Sequence, residues 1–91
     1  MQNIKITEQI ALNDYVYFAV FFEHSGELRE FYLRLPRAEE LAVKRVELLD
    51  PIFLEELYLT RGLFTRKNRW VIEKSEYEIY TRKRELGNEI Q

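Results

Sequence analysis

Three features of the chain predict an α+β fold. They are an aromatic and β-branched run from Tyr15 to His24 that ends on a Ser-Gly turn, helical spacing after Pro36, and a second helix start at Asp50-Pro51. Together they predict a three-stranded N-terminal antiparallel sheet packed on two consecutive helices, followed by a short basic hairpin and a C-terminal helix. The chain reads as a single domain over residues 1–91. A domain of that size buries about 60–65% of the surface its unfolded chain exposes, enough for one core.

The first strand region lies between Ile4 and Leu12, where Ile4, Ile6, Ile10 and Leu12 recur with a period of two. That pattern suits a half-buried strand, or two short ones split near Glu8. Asn13-Asp14 supplies turn chemistry, since both side chains bond the local backbone and tolerate left-handed dihedrals. In the next strand Tyr15, Tyr17, Ala19 and Phe21 face one way, and Val16, Phe18, Val20 and Phe22 the other. Both faces are apolar, which predicts a central strand. After Ser25-Gly26, Leu28 to Leu35 alternates more cleanly, with Phe31, Leu33 and Leu35 opposite Glu30, Tyr32 and Arg34.

Proline fits the first turn of a helix, and after Pro36 the residues Ala38, Leu41, Ala42, Arg45, Leu48 and Leu49 recur at intervals of three and four. A helix is predicted over Arg37 to Leu49, with this set facing the core. Asp50-Pro51 is an N-cap residue followed by a first-turn proline, so a second helix is predicted through Leu59, ending near Gly62. Leu63 to Arg66 and Arg69 to Glu73, joined by Lys67-Asn68, read as the basic hairpin. Ser75 and Glu78 fit a capping box and Gly87 a helix C-cap, predicting a third helix from Ser75 to Leu86. Tyr77, Ile79 and Thr81 also alternate, as one long strand from Trp70 to Thr81 would require.

Composition narrows the chemistry. The chain has no Cys, which removes disulfides, thiolate metal sites and a cysteine nucleophile from consideration. His24 is its one histidine and stands at a strand end beside a turn, where a structural role outweighs a ligand or base. Glu39-Glu40 and Glu55-Glu56 are adjacent pairs, and neighbours on a helix point about 100° apart rather than converging on one atom. The glycines Gly26, Gly62 and Gly87 are too dispersed for a phosphate loop. No catalytic residue, metal or cofactor is expected, and the chain is read as a non-enzyme. Met1 to Lys5 lacks the pattern of a signal peptide and no apolar run approaches a membrane span, so a cytoplasmic location without membrane contact is expected.

Charge is divided along the chain. Residues 1–60 carry six Lys/Arg against eleven Asp/Glu, a net of −5, and residues 61–84 carry eight against three, a net of +5. Two surfaces follow as candidates. The two-faced apolar strand predicts an aromatic contact surface of Tyr15, Tyr17, Phe21 and Tyr32, through which the chain self-associates as a homodimer or binds a protein partner. The alternative is a small nucleic-acid-binding regulator. Arg66, Lys67, Arg69 and Trp70 interleave cations with a stacking ring, and Arg82, Lys83 and Arg84 extend the basic character. An overall net charge of −2 weighs against the second reading.

Overall fold

The computed structural model describes residues 1–7 and 9–90, with side chains as far as residue 82. The fold is α+β. Strands β1 (Gln2–Ile6), β2 (Ile10–Leu12), β3 (Tyr15–His24) and β4 (Glu27–Pro36) are followed by helices α1 (Glu40–Glu47) and α2 (Pro51–Leu59). A 3-10 turn at Lys67–Trp70, strand β5 (Val71–Ile72) and helix α3 (Lys74–Ile90) complete the chain. The sheet runs β1-β3-β4-β5, with β2 beside β3 below β1.

The period-two region divides as its pattern allows, with β1 and β2 pairing successive stretches of β3, antiparallel in both cases. β1 carries a register shift between Gln2 and Lys5, where Asn3 has φ 51°. A bulge of this kind blunts an edge strand against unwanted pairing. β3 and β4 pair in unbroken register from Tyr15↔Pro36 to His24↔Glu27. At their turn Ser25 and Gly26 both have positive φ, 52° and 76°, the conformation whose twist matches a two-residue hairpin.

β3 is central, and both its faces are covered. Val16, Phe18, Val20 and Phe22 join Phe31, Leu33 and Leu35 of β4 beneath Ala42 and Val46 of α1 and Phe53, Leu54, Leu57 and Tyr58 of α2. On the other face lie Tyr17, Ala19 and Tyr32, also buried, against α3.

Four details differ from the sequence-based expectation, and each has a physical cause. Pro36 ends β4 rather than opening α1, because the hairpin ladder continues one step further through the Arg37 N–H to the Asp14 carbonyl at 2.8 Å. α1 is therefore shorter than Arg37 to Leu49. It stops at Glu47 in a Schellman arrangement, in which Leu49 N–H donates to the Val46 carbonyl and Asp50 N–H to the Arg45 carbonyl, with Leu49 at φ 54°.

The basic hairpin is replaced by the 3-10 turn and β5, whose two residues pair with Tyr32 and Leu33 of β4. Lys67-Asn68 has no residue at positive φ, as a two-residue hairpin demands, and the Asn68 N–H is taken by Thr65 Oγ1 at 3.2 Å. α3 is a helix, but it starts at Lys74 and continues past Gly87 to Ile90. Ser75 therefore lies inside its first turn instead of capping it, and the Tyr77 N–H bonds back to the Glu73 carbonyl.

The Asp50 cap forms as its residue type predicts. Asp50 Oδ1 accepts from the backbone N–H groups of Ile52 and Phe53 at 3.1 and 3.2 Å, and Oδ2 accepts from Arg45 Nε at 2.9 Å. The Arg45 hydrogen bond, followed by that from Phe53, holds the Asp50 carboxyl below its ordinary value. A carboxyl depressed on folding contributes stability that is complete above its unfolded value of about 4 and disappears as pH falls through the folded one. Asp50→Ala is accordingly expected to lower Tm by about 4–8 °C at neutral pH, the usual loss for an N-cap in a domain of this size. Thermal melts of both proteins should converge as pH drops below about 4. A gap that persists unchanged at low pH would contradict the charged cap.

Candidate interaction surface

The aromatic residues singled out from the sequence fall into two groups. Tyr17 and Tyr32 are 2% and 7% exposed, because α3 of the same chain lies across them. The Tyr17 ring stacks on Tyr80 at 5.1 Å between centroids, and Tyr32 meets Tyr77 at 4.9 Å. Arg34 sits among these rings, 4.8 Å from the centroid of Tyr15 and 5.7 Å from that of Tyr80. Its Nη1 donates to Tyr80 Oη at 3.2 Å and lies 3.7 Å from Glu76.

The Tyr32 hydroxyl donates to Glu30 Oε2 at 2.6 Å, and Lys74 approaches the same carboxylate at 3.5 Å. Burial raises the Tyr17 hydroxyl above its ordinary value and pushes that of Tyr32 well above it, where the Glu30 hydrogen bond adds to the effect. Two rings so placed are interior groups of the chain itself. Tyr15 and Phe21 remain more than a third exposed, but they stand six positions apart along β3. That spacing is about 20 Å, so they do not form one patch.

The basic residues are divided by the sheet. Arg66 pairs with Glu39 at 3.4 Å, and Lys67 forms a close ion pair with Glu56. Trp70 is half-buried with its ring 6.2 Å from that of Phe53 and packs on the core rather than offering a stacking platform. Arg69 is exposed beside them on the side of α1 and α2. Arg82 is exposed on α3, across the sheet, and the side chains of Lys83 and Arg84 lie outside the described residues. The charge asymmetry is thus answered in part within the chain, the basic segment lying against acids of the two helices.

His24 is half-buried with its ring 6.1 Å from that of Tyr58. Among the described residues no group of three His, Asp or Glu could hold a metal, and no helix is long and apolar enough to cross a membrane.

The surface that sequence reasoning missed is the outside of the helical layer. Leu41 and Leu48, expected to face the core, point away from it, while Ala42 of the same set is buried as expected and Val46 joins it on the inward side. On α2, Phe53, Leu54, Leu57 and Tyr58 are buried, while Ile52 and Leu59 are 77% and 58% exposed. Ile52 and Leu59 line one shallow concavity with Pro51, Glu55, Glu56 and Thr60. Leu63 and Phe64, directly after α2, are exposed as well. The signal was available in the sequence, since residues 41–43, 46, 48 and 49 are all apolar and so place apolar groups on more than one side of α1. Comparison with family models, with curated proteins and with solved structures finds no match to this chain.

Proposed function

We propose that this chain is a non-catalytic protein-interaction module that self-associates, with the outer face of α1 and α2 as its contact surface in place of the aromatic sheet face. The observation that carries this reading is α2, which has apolar residues on both its faces: four of its residues enter the core, and on the outer face Ile52 and Leu59 stand in solvent beside Glu55 and Glu56. A helix of that composition is at home where both faces are covered. Exposed apolar groups gathered on one layer are the usual mark of a protein contact. Binding of nucleic acid through residues 61–84 has less support, because Arg66 and Lys67 already meet acids of their own chain.

Light scattering over a dilution series is the direct test. The mass should rise from the 11.1 kDa of one chain as concentration increases into the range of about 100–200 μM, where modest interfaces assemble. Added DNA should leave that mass unchanged at near-physiological salt. A mass fixed at one chain throughout would end the self-association reading.

A further inference from the structure

The two helices of the exposed layer carry one pattern with opposite charges. α1 with its C-cap Leu48 carries Leu41-Ala42-Val43-Lys44-Arg45-Val46-Glu47-Leu48, and eleven residues on α2 contains Ile52-Phe53-Leu54-Glu55-Glu56-Leu57-Tyr58-Leu59. In each, a large aliphatic residue recurs after seven positions, with two like charges midway. On an α-helix, positions seven apart lie within about 20° of each other, and the third and fourth positions between them fall about 40–60° to either side. Each helix therefore presents a two-residue apolar stripe of about 10 Å with a charge flanking it on both sides.

The structure turns both stripes outward. Leu41 and Leu48 are each 77% exposed, as is Ile52, with Leu59 at 58%. The central charges are those of Lys44 and Arg45 on α1 and of Glu55 and Glu56 on α2, but Arg45 is held within its own chain, its Nε donating to Asp50 at 2.9 Å and its guanidinium lying 4.2 Å over the Phe53 ring, which leaves Lys44 as the open cation of the pair. Lys44 has no ion pair among the described residues. Glu55 and Glu56 each touch one cation, the N-terminus and Lys67, while keeping nearly half of their side-chain surface in solvent.

We propose that two copies of the chain pair helical layer to helical layer about a two-fold axis, α1 of each copy lying on α2 of the other, so that Lys44 faces Glu55-Glu56 twice. This rests on the self-association proposed above and specifies its geometry. A second copy is the occupant because this one chain carries both halves of the match, stripes equal in length and spacing with the open cation Lys44 on one and the carboxylates of Glu55 and Glu56 on the other. A two-fold axis uses both halves at once, as an isologous interface requires. The alternative of α2 on α2 would set four carboxylates about the axis, a juxtaposition that like-charge repulsion disfavours. The resulting particle has four helices sandwiched between two sheets, and α3 of each copy stays on the outer face of its own sheet.

The test is a charge-reversal cycle on the full chain, read by sedimentation equilibrium with circular dichroism as the check on folding. Lys44→Glu alone, and Glu55→Lys with Glu56→Lys together, should each weaken the dimer by about tenfold or more. An equimolar mixture of the two variants should recover a heterodimer of wild-type strength, a result that a folding defect cannot produce. Leu48→Ser, at a position already in solvent, should weaken the dimer without lowering Tm. A wild-type dimer indifferent to all of these changes would overturn this pairing and leave self-association standing. Two weakened variants whose mixture stays monomeric would also overturn it. A wild-type chain that remains at 11.1 kDa up to about 200 μM would overturn both readings together.

Discussion

Tyr17→Asp is expected to strip α3 from the sheet or unfold the chain, and not to leave a folded protein with an altered surface. Tyr17 lies near the start of β3, 2% exposed, with Tyr80 stacked on its ring at 5.1 Å. Removing a buried aromatic ring costs about 3–5 kcal/mol in lost transfer energy and cavity. A carboxylate at the same place adds a desolvation penalty that nothing nearby removes except Arg34, already engaged with Tyr80 and Glu76. A small domain has a total stability of about 5–15 kcal/mol, so the variant loses a large share of what holds it together. Phe21→Asp is the control on the same strand and the same sheet face. Phe21 is 39% exposed and lies beyond the aromatic contacts of α3, so this change should cost less than about 1 kcal/mol. Urea unfolding of the two variants side by side measures the contrast, and similar midpoints would mean that α3 does not cover the sheet.

That contrast also marks where sequence reasoning reaches its limit. The apolar character of both parities from Tyr15 to Phe22 says that both faces of β3 are buried, and all of these residues except Tyr15 and Phe21 are. It does not say by what. Whether a second face is covered by the chain's own helix or by another molecule depends on contacts such as Tyr17 with Tyr80, more than sixty residues apart, which no local period records. Features set by neighbouring residues were legible for the opposite reason. Ser25-Gly26 makes its turn through its own dihedrals, and Asp50 caps α2 through N–H groups two and three residues away.

The phase of α1 was misread in part because its apolar residues support two orientations that share Ala42, one directing Leu41 and Leu48 inward and one directing Val46 inward. The structure takes the second, with Ala42 and Val46 buried in the core and both leucines 77% exposed. The basic segment was misread for a similar reason. Its pairing partner is the edge of β4, so only two residues, Val71 and Ile72, become strand. The preceding Lys67 and Trp70 are fixed by Glu56 and Phe53 of α2 instead. The candidate surface followed the same logic. An apolar stripe on the outer side of a helix looks like a core stripe until the sheet it rests on is known.

Phe22→Ala is expected to have the largest effect of any single truncation on the helical face of the sheet. Phe22 is 1% exposed at the end of β3, where its ring meets Tyr58 edge-on at 4.8 Å and Phe31 at 5.8 Å. Tyr58 is itself held from outside, by the Arg61 guanidinium 3.9 Å over its ring and by Arg29 Nη1 donating to its hydroxyl at 3.1 Å. A site braced in this way cannot collapse to fill a void, and the cost of a cavity rises with the volume left empty. The expected loss is therefore toward the upper part of the 3–5 kcal/mol usual for a buried phenylalanine, roughly a third to a half of the stability of a small domain. Phe22→Leu, which refills most of the space, should cost no more than about 1.5 kcal/mol. In urea the midpoint should fall steeply for the alanine variant with the slope of the transition unchanged, since the surface exposed on unfolding is nearly the same. An alanine variant no less stable than the leucine one would show that the aromatic cluster around Tyr58 yields, and that the distal end of α2 is not rigidly seated on the sheet.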